Sequence, residues 1–142
     1  MDSCLFCRIV SGELPATVVY EDDDSVAFLD HRPLFHGHTL LVPREHVETL
    51  GELPAKIIGP YFEAAQLLSR VVESAMDAEG TFVAMNNRVS QSVPHLHVHV
   101  VPRWTGDTNF MPIIGGARVL SDGLRALYDK LMEAQERMAS QR

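Results

Sequence analysis

The 142-residue sequence contains only two cysteines, one tryptophan and 7% aromatic residues, and positive charge is scarce, with 12 Lys and Arg against 19 Asp and Glu. Each scarcity excludes something. The formal charge of −7 argues against broad binding to nucleic acid polymers, whose affinity comes largely from Lys and Arg on phosphates. A small phosphorylated ligand needs only local positive charge. No apolar run approaches the roughly 20 residues a membrane span requires, so no membrane partner is expected. Met1-Asp2-Ser3-Cys4 lacks the basic and then apolar stretches of a secretory signal, so the expected setting is the reducing cytosol. There, Cys4 and Cys7, spaced C-x-x-C, point to metal binding or redox chemistry rather than a structural disulfide. Two cysteines alone cannot complete a tetrahedral zinc site.

What is present is ordinary for a globular chain: 46% hydrophobic and 22% charged residues. The length suits one core, and no repeat, low-complexity tract or long linker divides the chain. The expectation is a single domain over residues 1–142 with a C-terminal helical tail from about residue 119. Thr17 to Glu21, Ser25 to Asp30 and Thr39 to Val42 are short runs rich in Val, Leu, Phe and Tyr between acidic, Pro or Gly residues, and predict three strands with a turn at Asp22 to Asp24. From Pro54 to about Ala78, apolar residues recur at Ile57, Tyr61, Ala65, Leu68, Val72 and Met76, one face of a helix. Pro54 suits its first turn and Gly80 its exit. Thr81 to Met85 and His95 to Val101 predict two more strands around a polar loop, and a last helix is expected from about Ser121. Strands, one long helix, more strands and a final helix indicate an α+β domain with an antiparallel sheet.

Three of the seven histidines fall within five residues, His95-Leu96-His97-Val98-His99, followed by Val100-Val101. On a strand the histidines share one face, while Leu96, Val98 and Val100 fill the other. Backbone positions two apart lie roughly 6.6 Å from each other, close enough for two imidazoles to reach one phosphate or one metal. The outer pair, about 13 Å apart, is poorly placed to share an ion. Three readings remain open on the residues alone. The histidines face water without a role, or an H-x-H pair holds a catalytic zinc, or one imidazole is a nucleophile.

The run His95-Leu96-His97-Val98-His99-Val100-Val101 resembles the histidine triad signature, His-φ-His-φ-His-φ-φ with φ apolar, at every position. The resemblance extends through Cys4, Glu21-Asp22, Phe28-Leu29-Asp30, Gly37-His38-Thr39-Leu40-Leu41-Val42-Pro43, Gln91-Ser92-Val93 and Pro102-Arg103. It implies the histidine triad fold and an enzyme that cleaves a purine nucleotide, of adenosine type, at the α-phosphate. The middle histidine, His97, is then the nucleophile and forms a transient nucleotidyl-histidine. The resemblance also implies that the His95 carbonyl takes the Nδ1 hydrogen of His97, leaving Nε2 free to attack. His99 and His38 match residues that contact the α-phosphate, and Asp30 matches one that bonds ribose hydroxyls. Asn86, Gln91 and Ser92 match residues near the phosphate and leaving group, while Phe6, Ile9 and Leu29 would wall a base pocket. Asp30 equally suits a turn at a strand end.

One branch of the family binds zinc with residues that correspond to Cys4, Cys7, His46 and His95, implying one structural zinc per chain and no catalytic cofactor. A thioredoxin-like role is disfavoured because the cysteine pair opens the chain rather than following a strand. A homodimer is also implied. Two features depart from that branch. The loop Asn86-Asn87-Arg88-Val89-Ser90 is short, and Trp104-Thr105-Gly106-Asp107-Thr108-Asn109-Phe110 with Ile113-Ile114-Gly115-Gly116 resembles members acting on dinucleoside polyphosphates, including phosphorylases. The leaving group therefore stays open between phosphoramidate-type and dinucleoside polyphosphate substrates. The rival from another class is a nucleotide-binding regulatory protein with little turnover.

Overall fold

A computed structural model describes residues 3–108 and 124–141. These fall into two compact units, one ending at Asp107 and one beginning at Thr108. The first unit contains α1 (Leu5–Val10), β1 (Val18–Glu21), β2 (Ser25–Leu29), β3 (Thr39–Pro43), a 3-10 turn (Leu50–Glu52), α2 (Ala55–Ala75), β4 (Gly80–Ala84) and β5 (Val98–Arg103). The second contains α3 (Leu124–Ala139), with an Arg125–Asp129 ion pair of 3.4 Å. The segment 113–116 and the expected starts of the tail and last helix, at 119 and Ser121, lie outside the described residues.

The five strands form one antiparallel sheet in the order β1-β2-β3-β5-β4, which bears out the expected α+β architecture. Asp22 closes the β1–β2 hairpin, its Oδ1 accepting the N–H groups of Asp24 and Ser25 at 2.8 and 2.7 Å. This is the local bonding that makes Asp a turn residue. Tyr20 donates its hydroxyl to Asp22 Oδ2 at 2.7 Å, which with the backbone N–H bonds holds the carboxyl below its usual range against the opposing effect of partial burial.

Alternation along the strands divides the core in two. Ala27, Leu41, Leu96, Val98 and Val100 pack against Ile57, Tyr61, Ala64, Ala65, Leu68 and Val72 of α2. Val26, Phe28, Leu40 and Val42 pack on the opposite face with Cys4 and Phe6. Both faces of β2 and β3 are thus covered, the second by α1, whose six residues are too few for a periodic pattern to announce them. At the α2 packing face, the buried Tyr61 hydroxyl donates to the Leu41 carbonyl at 2.8 Å, giving the phenol a partner in an apolar setting.

Two details correct the sequence expectations. α2 ends at Ala75, and Asp77, not Gly80, takes the left-handed turn (φ 49°), while Ala78 N–H reaches back to the Glu73 carbonyl at 2.9 Å. That bond closes a Schellman-type end, so Gly80 is free to start β4. The last strand begins at Val98 rather than His95. β5 pairs with β3 only from Val98 onward, because Leu96 N–H turns to the Val47 carbonyl at 2.7 Å, beyond the end of β3. The alternation of faces nevertheless persists through His95-Leu96-His97.

Candidate active site and metal centre

Leu5, Phe6 and Ile9 of α1, Phe28 and Leu29 of β2 and Leu40 of β3 form apolar walls of an open cavity of about 850 Å³. Asp30, Ser92, His97 and His99 also line it. The three residues expected to wall a base pocket, Phe6, Ile9 and Leu29, are therefore all in the lining. The Phe6 ring meets His97 edge-on, centroids 5.1 Å apart at 83°, so α1 touches the central histidine directly.

Each ring's tautomer follows from a backbone partner of fixed character, since a carbonyl only accepts and an N–H only donates. His97 Nδ1 lies 2.7 Å from the His95 carbonyl and must donate to it, which leaves the neutral ring's lone pair on Nε2. His95 Nε2 lies 2.8 Å from the Pro43 carbonyl and must likewise donate, which leaves its Nδ1 bare. The Leu34 N–H donates to His38 Nδ1 at 3.1 Å, so His38 carries its hydrogen on Nε2. That hydrogen points to His99 Nδ1, 2.9 Å away, and His99 therefore keeps its own on Nε2. The rings of His97 and His99 are 4.9 Å apart. The result is a bare nitrogen and an N–H on neighbouring imidazoles that line one cavity.

Burial, reinforced by His97 and His38 nearby, lowers the His99 pKa to about 4, with only Asp30 opposing. Burial also lowers His38, again against Asp30, whose Oδ2 is 3.6 Å from His38 Nε2. Asp30 follows β2, accepts the Arg32 N–H at 2.9 Å as a turn residue, and lines the cavity. Asp30, His38 and His99 are close enough to ligate a cation. The Leu34 bond argues otherwise, because a metal on His38 Nε2 would displace the hydrogen that the occupied Nδ1 cannot take up. The Leu34 N–H, His38 and His99 form a hydrogen-bond relay, and Asp30 stands beside it.

His95 serves a second cluster. Its bare Nδ1 is 3.5 Å from both Cys4 Sγ and Cys7 Sγ and 3.2 Å from His46 Nδ1, which is itself 3.2 Å from Cys7 Sγ. Tetrahedral zinc, with Zn–S about 2.3 Å and Zn–N about 2.0 Å, requires ligand separations of about 3.3–3.8 Å. The four donor atoms, all within 4.8 Å of one another, fit such an ion. Burial, then Cys4, push the Cys7 thiol up to about 11, and a divalent cation is what would draw its proton off. Cys4 caps α1, its sulfur accepting Cys7 N–H at 3.5 Å, so the pair opens a helix. The outer histidines of the triad thus serve different clusters, His95 the sulfurs and His99 the relay.

Asn86 and Gln91 lie elsewhere. Asn86 Nδ2 donates to the Ser90 carbonyl at 3.2 Å, and Gln91 links the Glu48 carbonyl at 2.7 Å to the Arg88 N–H at 2.9 Å. Asn87 accepts Leu50 N–H at 2.8 Å. The short loop is bonded to itself and to Glu48 and Leu50, with Arg88 and Ser90 both at positive φ (69° and 63°). Sequence reasoning missed His31 and the segment Leu14 to Thr17, which also line the cavity. Only the unexpected α1 and the turn after it, with Gly12 at φ 82°, bring that segment across.

Residues 11–106 match the HIT domain family. An adenylylsulfatase from Arabidopsis thaliana is 35% identical over 104 residues, covering 72% of this chain and 53% of that longer protein. An adenosine 5'-monophosphoramidase from Candida albicans is 29% identical over 137 residues, 92% of this chain and 90% of that one. The crystal structure of a zinc-bound histidine triad family protein from Mycobacterium smegmatis is 38% identical with a TM-score of 0.72, over 77% of this chain and 81% of that one. The chain belongs to the histidine triad family. Within it, a nucleotide-binding hydrolase or transferase is the supported class.

A pH dependence follows from His99. Its unfolded pKa near 6.5 exceeds the folded value of about 4, so between those values the unfolded chain binds the extra proton. Stability is then unaffected above about pH 6.5 and falls as the pH drops toward 4. Chemical denaturation of wild type across that window should show the decline, and His99→Gln should flatten part of it.

Proposed function

We propose that the protein is a nucleotidyl hydrolase or transferase that cleaves an adenosine-type nucleotide at its α-phosphate through a covalent nucleotidyl-histidine on His97. The observation that carries this reading is the bond from His97 Nδ1 to the His95 carbonyl, which aims an unprotonated Nε2 from a buried, fixed ring. In the first step the Nε2 lone pair forms an N–P bond while the bond from phosphorus to the leaving group breaks. The leaving group departs with that electron pair and takes a proton from solvent. In the second, water attacks phosphorus, the N–P bond breaks and the proton passes to solvent. The His95 carbonyl oxygen favours the positive charge the ring carries in between. The His99 Nε2–H donates to a phosphoryl oxygen as charge develops there. Asp30 suits ribose hydroxyls because a carboxylate accepts from two donors, and Ser92 sits with the phosphate-side residues in the lining.

Small leaving groups are favoured, in line with the activities named for the two relatives, phosphoramidate and adenylyl sulfate cleavage. The tryptophan segment keeps dinucleoside polyphosphate phosphorolysis as the second reading. Cys4, Cys7, His46 and His95 would hold a structural zinc that fastens α1, and with it one cavity wall, to the sheet. A cytosolic setting suits thiols kept reduced for that purpose. A homodimer fits the exposed Val83 of β4 and the exposed Ile58, Phe62 and Val71 of α2.

His97→Ala should abolish turnover of adenosine 5'-phosphoramidate yet keep AMP affinity within a few-fold, since the walls and other phosphate contacts remain. Rapid quenching of wild type with α-phosphate-labelled substrate should place label on His97, and steady turnover by folded His97→Ala protein would overturn the mechanism. Comparing that substrate with diadenosine polyphosphates, with and without inorganic phosphate, separates hydrolase, phosphorylase and inert binder. Metal analysis should find about one zinc per chain, lost in Cys7→Ser with stability falling more than kcat; zinc-free protein purified without chelator would count against the site. Sedimentation at micromolar concentration should give twice the chain mass.

A further inference from the structure

Trp104 opens a segment that the proposed chemistry leaves without a role. Its ring meets Phe35 edge-on, centroids 5.8 Å apart at 79°, and its indole N–H donates to the Asp77 carbonyl at 2.9 Å. Residues 31–36, in the loop between β2 and β3, are exposed except for Phe35, which is half-buried. The same loop is held at its ends. Asp30 Oδ1 accepts Arg32 N–H, and Gly37, at φ +96°, sits where a Cβ would come within 2.7 Å of Met76 Cγ. His38 N–H closes the turn onto the Phe35 carbonyl at 3.1 Å. What this loop gives the His38–His99 pair is one group, the Leu34 N–H on His38 Nδ1.

We propose that Trp104 and Phe35 are positioning residues for the histidine relay: by clamping the loop they hold the Leu34 N–H on His38, and so decide which nitrogen of His99 carries hydrogen. The inference rests on the nucleotidyl-transfer reading for its kinetic consequence, but not for the state of the rings. The two imidazoles share one hydrogen bond and change together. With Leu34 in place, His38 donates from Nε2, His99 accepts on Nδ1, and His99 Nε2–H can bond an anionic oxygen. Without it, His38 can carry hydrogen on Nδ1, with only Asp30 Oδ2, 3.6 Å from Nε2 and beyond hydrogen-bond reach, left to oppose the change. Its bare Nε2 then faces His99 Nδ1, which must hold the hydrogen, and His99 Nε2 becomes a lone pair. Beside His97 Nε2, that gives two lone pairs facing one phosphate where there was one lone pair and one donor. Nucleotide binding through the apolar walls survives such a change, whereas stabilisation of charge developing on the phosphoryl oxygens does not.

The test uses the full chain and two readouts. Long-range proton–nitrogen NMR of the imidazoles should show, in wild type, hydrogen on Nε2 of both His38 and His99. In Trp104→Ala those two rings should show the opposite tautomer or an exchange-averaged mixture, while His97 keeps its Nδ1 hydrogen. With adenosine 5'-phosphoramidate, kcat should fall about tenfold or more, since an oxyanion donor is lost from part of the population, with KM within about twofold. Trp104→Phe, which restores a ring over Phe35 but not the indole N–H, should recover most of both signals. A purely structural tryptophan would lower the melting temperature and leave the His38 and His99 nitrogens and kcat as in wild type, and that result would overturn the proposal. If Trp104→Ala does not fold, Phe35→Leu is read in the same way. If wild type binds AMP but turns nothing over, the nucleotidyl-transfer reading fails by itself, and the ring tautomers alone decide the role of Trp104.

Discussion

The two hydrogen bonds that fix His95, one from its Nε2 to Pro43 and one into its carbonyl from His97, are the constraint on which the site depends. The first ties the residue to the end of β3 and leaves Nδ1 bare toward two sulfurs and a second imidazole. The second sets the tautomer of the nucleophile candidate. Both acceptors are backbone carbonyls, so neither can titrate away or rotate out. His95 is wholly buried, and burial holds its imidazole below its ordinary pKa, mainly by desolvation. A buried ring kept neutral with its one N–H on a carbonyl is cheap to maintain, whereas a carboxylate partner in the same place would have to be desolvated as a charge.

The fold serves this arrangement by covering the sheet on both sides. α2 seals one face with an apolar stripe, and α1 covers the other, though only six residues long. A helix that short has no independent stability. It is held by Phe6 against Phe28 and His97, by the Cys4 cap, and by the Cys7 thiol against His46 and His95. Because the same six residues supply Leu5, Phe6 and Ile9 to the cavity and Cys7 to the Cys–His cluster, cluster and cavity share one element.

Much of this was legible in the residues. The spacing of Ile57, Tyr61, Ala65, Leu68 and Val72 specified α2, and period-two histidines against Leu96, Val98 and Val100 specified which face met the core. Family resemblance supplied the four ligand positions, which the chain brings within ligating distance. What was not legible has physical reasons. α1 is shorter than two helical turns, so no pattern could form. The helix exit went to Asp77 because aspartate tolerates the left-handed region well enough to replace the expected glycine. Asn86 and Gln91 looked like ligand-facing polar residues, yet in a loop this short their amides are consumed by neighbouring backbone groups. The tautomers of His38 and His99 hinge on Leu34 N–H, a backbone group with no signature in residue type.

Among the described residues lining the cavity there is no lysine or arginine. On the nucleotidyl-transfer reading proposed above, these residues offer an anionic nucleotide no full positive charge, and apolar walls provide the attraction, at about 25 cal/mol per Å² buried. Phosphate recognition on that reading falls to neutral donors, a His99 N–H kept uncharged by a pKa of about 4 and the Ser92 hydroxyl. Neutral donors strengthen as negative charge concentrates on the phosphoryl oxygens, so their contribution is weighted toward the transition state. A fixed cation would bind substrate and the nucleotide product alike, and slow release of the product would cap the rate. The acidic balance of the chain and its scarcity of positive charge, which first excluded polymer binding, are on this view also what lets a small nucleotide enter, react and leave.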